Sequence, residues 1–244
     1  MTDRTTLRFD LDDRTCLIEV KSLPRARRLT LRVDPGLGQP RVVKPSHVTL
    51  CEVEAFLQRN HGWLRQRLAN LPPPVPFIHG AEIPLRGNLH RICHQPQERG
   101  TVWCLAAADG IPAQLCVAGA AAHLGRRVED WLKREARRDI QERVRHHADK
   151  IAPTPGRITC RDTRSRWGSC AANGNLSFSW RLIFAPTGVL DYVVAHEVSH
   201  LVEHNHSARF WRLTASLCPE FEAARRWLKR YGNDLHRYGR GMAS

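Results

Sequence analysis

Residues 191–206 read DYVVAHEVSHLVEHNH, and within them His196, Glu197 and His200 form the pattern H-E-x-x-H. In an α-helix, residues four apart lie one turn above each other on one face, so a helix here presents both imidazoles to a single metal ion. Leu190, Val193, Val194, Val198 and Leu201 supply the apolar surface that such a helix needs in order to be buried. In a shuffled chain of this composition the motif would occur roughly 0.03 times, so chance is a poor explanation. Zinc held by three nitrogen or oxygen ligands keeps an open coordination position and lowers the pKa of a water toward about 7, where a neighbouring carboxylate can take the proton. The residue types therefore predict His196 and His200 as metal ligands, Glu197 as general base and Zn2+ as cofactor.

A third ligand is required, and His204, His206 and a distant glutamate such as Glu222 are the candidates. The favoured one is His206, because the metzincin-like pattern H-E-x-x-H-x-x-G-x-x-H uses that offset to leave the helix and return a third imidazole. The glycine of that pattern is Glu203 here, so the turn is expected around His204 and Asn205, asparagine tolerating turn geometry. The methionines, Met1 and Met242, are not placed for a Met-turn beneath the metal. Ser207 reads as the cap of a following helix with Phe210, Leu213 and Leu217 on one face, and Pro219 opens another ending near Gly232. Trp211 and Trp227 read as core.

Upstream, residues 5–43 alternate apolar and polar positions in short runs, the pattern of a small antiparallel sheet. Thr49 and Glu52 form a capping box before one helix over residues 49–69. LPPPVP at 71–76 is a rigid connector. Residues 77–117 read as further strands, including a hairpin of VWCLA and AQLCVA. Over residues 126–150 the apolar positions Val128, Leu132, Ala136, Ile140, Val144 and Ala148 step by four, an amphipathic helix. RITCRDT and NLSFSWRLI then read as two strands around a turn near Asn173 and Gly174. No internal repeat is visible. The expected organisation is α+β, with a strand-rich N-terminal subdomain over 1–122 and a metal-dependent hydrolase domain over 123–244.

The charged opening, MTDRTTLRFDLDDRT, has no apolar run for a secretory signal, and the weakly charged stretch 101–124 is broken by Asp109, Gly110, Pro112 and Gly119. A cytoplasmic location without membrane association is expected. The eight cysteines contain no C-x-x-C pair, which argues against a zinc ribbon and for reduced, mostly buried thiols. Cys170 has no neighbour that would depress its pKa and is not a nucleophile candidate. The formal net charge of +14 favours a polyanionic partner or substrate.

SRWGSC (165–170), GNLSFSWRLIFAP (174–186), DYVVAHEVSHL (191–201), NHSARFW (205–211) and CPEFEAARRWLK (218–229) together resemble the YgjP-like metallopeptidase family, grouped with the SprT-like and wider H-E-x-x-H zincins. The resemblance is strong over about 126–232 and looser upstream, through RARRLTLRV, PSHVTLCEVEAFL and PFIHG. It implies a zincin-like α/β domain with an active-site helix, His196, His200 and His206 as zinc ligands, Glu197 as catalytic base, and RWGSC and NLSFSW as strands beside the cleft. An edge strand there could hold an extended peptide by backbone pairing. Arg164 and Arg166 are candidate cleft residues; Tyr192, Tyr231, His236 and Arg166 are candidates for oxyanion stabilisation.

Three activities compete at this level. The first is a zinc peptidase acting on a peptide or protein, with Glu197 moving the proton. The second is a metal-dependent phosphohydrolase acting on nucleotides, which the basic charge would suit although no P-loop is present. The third is a nucleic-acid-associated protease or binding protein.

Overall fold

A computed structural model describes residues 4–12, 14–34, 38–108 and 110–240. The chain forms two compact units, Met1–Pro73 and Pro74–Ser244, so the division falls in the proline connector and not at the expected 122/123. The physical reason is a shared core: Ile83, Ile92, Leu115 and Val117, from strands assigned above to the N-terminal part, are buried in one cluster with Val128, Leu132, Val194 and Val198.

In the first unit, β1 (Arg4–Leu11) and β2 (Arg14–Ser22) form a hairpin, and β3 (Thr30–Val33) and β4 (Pro40–Lys44) form another. The order is β1-β2-β4-β3, with β4 parallel to β2. The sheet is thus mixed and not purely antiparallel, because the chain crosses over after β2 before turning back through the second hairpin. Phe9, Leu11, Ile18, Val20 and Val42 meet Val53, Leu57 and Leu64 of two helices, α1 (Leu50–Arg59) and α2 (His61–Ala69). Thr49 and Glu52 form the reciprocal capping box. The single helix expected over 49–69 is broken at Asn60, whose side-chain amide donates to the Phe56 carbonyl (2.8 Å) and whose backbone leaves the helical region.

The second unit opens with β5 (Glu82–Leu85), β6 (Asn88–Gln95), β7 (Val102–Leu105) and β8 (Gln114–Ala118), in the order β5-β6-β8-β7. Here too the outer pairs are antiparallel and the central pair is parallel. Two hairpins joined through a parallel centre therefore occur twice in the chain, a structural repeat that the residue pattern does not display. α3 (Leu124–Ala148) buries Val128, Leu132, Ala136, Ile140 and Val144 as expected, but at its end His147 is buried and Ala148 only half-buried. It is also too charged to span a bilayer; among the described residues, no helix is long and apolar enough to cross a membrane.

A three-stranded sheet follows: β9 (Ile158–Arg161), β10 (Gly168–Cys170) and β11 (Leu176–Ser179), ordered β10-β11-β9. The hairpin is β10 with β11, whereas β9 runs parallel to β11, so RITCRDT and NLSFSW are neighbours but not a hairpin. WRLIF at 180–184 forms a buried 3-10 turn instead of extending the strand. Three helices complete the unit: α4 (Thr187–Ser199), α5 (Ala208–Leu217) and α6 (Phe221–Tyr231).

Two polar anchors orient α4. Asp191 on α4 accepts hydrogen bonds from Arg143 (2.5 Å) and lies 2.7 Å from His147 Nε2, both on α3. The β5–β6 turn, with Arg86 and Gly87 at positive φ, packs against Pro186, where a Cβ on Gly87 would approach the proline Cα to 2.9 Å. Arg86 in turn donates to Asp139 and Glu135 of α3. Sheet, α3 and the start of α4 are thereby fixed in register. All eight cysteines are free; Cys116 and Cys218 are buried, Cys51 and Cys104 are exposed and the other four half-buried, so the thiols are less enclosed than expected.

Candidate metal centre

α4 is apolar on nearly every side, with Val189, Leu190, Tyr192, Val193, Val194, Ala195 and Val198 buried, and it carries its few polar groups into the interior at its C-terminal end. His196 and Glu197 occupy its last turn and His200 is the C-cap. Ser199 donates to the Ala195 carbonyl and accepts from Thr214 Oγ1 (3.1 Å), which ties α4 to α5. The chain then turns back, Glu203 N–H donating to the Ser199 carbonyl. Asn205 Oδ1 accepts from the Ser207 N–H, and Ser207 caps α5 through the Phe210 N–H.

This turn returns His206 to the end of α4. One ring nitrogen from each of His196, His200 and His206 lies within 4.8 Å of the other two. His196 Nε2 and His206 Nε2 are 3.1 Å apart. His204 and Glu222 are not part of the group: His204 is exposed, and Glu222 is an exposed residue of α6 paired with Arg226. The backbone carbonyl of Glu203 lies 3.0 Å from His200 Nδ1. A carbonyl only accepts, so this nitrogen carries the proton and Nε2 keeps its lone pair toward the other rings. His196 Nδ1 is enclosed without an acceptor, so the orientation of that ring rests on packing against Phe210 and Tyr192.

The donor set fits a cation. Tetrahedral zinc with Zn–N bonds of roughly 2.0–2.1 Å separates adjacent ligand nitrogens by about 3.3 Å, close to the separation between His196 and His206. Burial, then the neighbouring His200 and His206, pushes the His196 pKa down to about 4, and burial lowers that of His200 as well. Neutral imidazoles are the form that binds a metal.

Two aromatic residues shape the centre. Phe210, fully buried, is 4.9, 4.5 and 4.8 Å from the ring centroids of His196, His200 and His206 respectively, a common floor for all three. Trp211 is half-buried and stacks on His206 (5.7 Å, 26°), with Phe221 and the Arg225 guanidinium against its own ring. The reading of Trp211 as core is corrected accordingly, whereas Trp227 packs on the core. The sequence signal for both was present: Phe210 and Trp211 follow His206 by four and five positions.

Glu197 is only 7% exposed. Burial pushes its carboxyl pKa up to about 7, against the opposing effects of a hydrogen bond from the Cys170 backbone N–H and the nearby Arg166 charge. β10 runs directly over this carboxyl: a Cβ on Gly168 would lie 2.5 Å from Glu197 Cγ and Oε1. Gly168 is thus a position where only glycine leaves room for the Glu197 carboxyl, which the residue pattern alone did not single out. Burial, and then Glu197, push the Cys170 thiol pKa up, which disfavours its thiolate form. Tyr192 packs its ring 5.9 Å from that of His196 and, with Arg166, is the polar candidate beside the centre. Tyr231 instead packs on Trp227, and His236 stacks on Trp167.

A family model described as YgjP-like, metallopeptidase domain, matches residues 27–231. The chain belongs to the YgjP-like metallopeptidase family. Comparison with curated proteins and with solved structures returns no match. Membership in the YgjP-like family identifies the protein as a metallopeptidase-type hydrolase, an enzyme with a metal cofactor that acts on a peptide or protein. The match reaches back to Arg27, so it takes in the last two strands and both helices of the first unit together with the whole metal-centre region.

Proposed function

We propose that this YgjP-like protein is a zinc-dependent peptidase in which His196, His200 and His206 hold Zn2+ and Glu197 is the general base. The observation that carries the reading is the meeting, at one end of α4, of three imidazole nitrogens within 4.8 Å of one another and a buried carboxyl whose pKa is raised to about 7. A zinc ion held there supplies Lewis-acid polarisation of a carbonyl and lowers the pKa of a water.

The chain's own residues account for the rest. A carboxylate with a pKa near neutrality can take a proton from the attacking water and hand it to the leaving amine, the balance that efficient proton transfer requires. The Cys170 N–H holds the carboxylate in place, and the absent side chain at Gly168 leaves it room. β10 pairs with β11 on one edge; among the described residues no strand pairs with its other edge, where the Cys170 N–H is engaged by Glu197. Substrate backbone can add to that edge as an extended strand, which places the scissile bond beside Glu197.

The test is Glu197→Gln. Metal content should be unchanged, and cleavage of a quenched fluorescent peptide should fall by about 10²–10⁴-fold, the usual loss on removing a general base. Undiminished turnover would overturn the assignment of the base.

A further inference from the structure

The sheet that covers Glu197 has an outer face of one electrostatic sign. Alternate residues along and beside β9 (Arg157, Thr159, Arg161) join Ser177 of β11, and Ser169 and Arg166 of β10 and its approach, around a cavity of about 330 Å³ whose lining contains no acidic residue. Arg161 also lines a second cavity of about 380 Å³, completed by Lys133, Arg134 and Arg137 of α3 over a floor of Cys160 and Trp180. The one acid there, Asp162, is already engaged by Arg181 and Arg240. Among the described residues, Arg134, Arg137, Arg157, Arg161 and Arg166 are exposed and have no carboxylate within ion-pair distance. On the same helix Lys133 pairs with Glu129 and Arg138 with Glu135. A solvated surface mixes charge signs; five unpaired guanidinium groups on adjoining cavities leave a positive field that an anionic ligand would neutralise.

The tract borders the proposed centre, because Ser169 in its lining follows Gly168, which packs directly against Glu197. Its chemistry favours a polypeptide over a nucleic acid. Single-stranded nucleic acids use exposed aromatic faces for base stacking, whereas the aromatic side chain lining these cavities, Trp180, is 2% exposed. Guanidinium forks bind carboxylates and phosphates alike, so the choice of a polypeptide rests on the enclosed aromatic ring and on the neighbouring peptidase centre.

We propose that this face is a subsite for an acidic segment of the polypeptide substrate, bound by Arg157 and Arg161 with Arg134 and Arg137 beyond them. The proposal rests on the peptidase reading of the neighbouring centre. Geometry sets the spacing. A peptide paired on the edge of β10 away from β11 lies three strand spacings from β9, ~14 Å at ~4.8 Å each, which an extended chain covers in about four residues. The acidic residues are therefore expected about four positions from the scissile bond.

The test is binding, so that it does not depend on turnover. The full chain carrying Glu197→Gln is titrated, by fluorescence anisotropy, with a labelled neutral twelve-residue peptide and with versions carrying three glutamates four positions to either side of the centre. At least one acidic peptide should bind ten-fold or more tightly than its parent in 50 mM NaCl. That gain should shrink in 500 mM NaCl and vanish in a variant that also carries Arg157→Glu and Arg161→Glu, with folding checked by circular dichroism. Equal binding of acidic and neutral peptides, or a preference that survives the charge reversal, would overturn the subsite. Tight, Arg157-dependent and Arg161-dependent binding of a single-stranded oligonucleotide with no gain for the acidic peptides would also overturn it and assign the face to nucleic acid. Cleavage by the wild-type chain is read separately: an acidic preference without any cleavage refutes the peptidase, and cleavage of the neutral peptide without a preference refutes only the subsite.

Discussion

Replacing Gly168 by alanine perturbs the proposed base without touching any group that binds metal. The added Cβ would lie 2.5 Å from Glu197 Cγ and Oε1 and 2.8 Å from Cδ. Carbon atoms in contact rest at about 3.5 Å, so either the carboxyl or β10 must yield by ~1 Å. A displacement of that size at a reacting group costs about 10²-fold, roughly 2.7 kcal/mol of transition-state stabilisation. Overpacking at a buried site adds about 2 kcal/mol of lost stability, or a fall in Tm of about 6 °C for a chain of this size. The assay is kcat and KM on a quenched fluorescent peptide, with metal content and thermal melting measured in parallel. The loss should fall mainly in kcat, with the metal retained. Gly188→Ala is the control, because a Cβ there meets nothing within 4 Å and the position lies in the first turn of α4. Activity of Gly168→Ala within threefold of wild type at an unchanged Tm would show that the carboxyl does not need its present place, and the reasoning would fail.

Other consequences follow from the support around the centre. Trp211→Ala removes the stack that holds the His206 ring, and chelator competition should find metal affinity reduced by about 10–100-fold, the usual effect of losing a ligand's support; Trp211→Phe should restore most of it. Burial raises the Asp191 carboxyl, but hydrogen bonds with His147 and Arg143 outweigh it and hold the pKa below the ordinary 3.8. A depressed carboxylate contributes stability that is complete above its unfolded pKa and lost as pH falls through the folded one. Asp191→Asn should therefore cost about 2 kcal/mol in urea unfolding at pH 6 and progressively less below pH 4; an equal cost at both pH values would contradict the ion-pair account.

How far the molecule could be read in advance depended on the range of the interaction involved. The four-residue stripe of α3 from Val128 to Val144 and the capping box at Thr49 are local, and both appear where the spacing put them. The placement of His196 and His200 on and at the end of one helix follows from the same arithmetic, and Asn205 with Ser207 makes the turn that brings in His206. What was not legible is non-local. The parallel pairing of β2 with β4 and of β6 with β8, the repeated sheet topology, and the joining of β5–β8 to the core of α3 depend on which strands meet across loops, a choice that alternation patterns do not encode. Asn60 broke a helix through a side-chain hydrogen bond that competes with the backbone. Gly168 was hidden for a related reason: its importance lies in an α4 side chain that crosses over it, and a glycine with ordinary φ carries no local mark of that contact.

The central claim, that three histidines hold one metal ion beside Glu197, is tested most directly by metal content. Mass spectrometry on the purified chain and on single alanine variants of His196, His200, His204 and His206 should find about one zinc per wild-type chain. It should be lost in the His196, His200 and His206 variants and retained in the His204 variant. A folded wild-type chain that neither carries nor takes up metal, or loss that follows His204 in place of His206, would contradict the account.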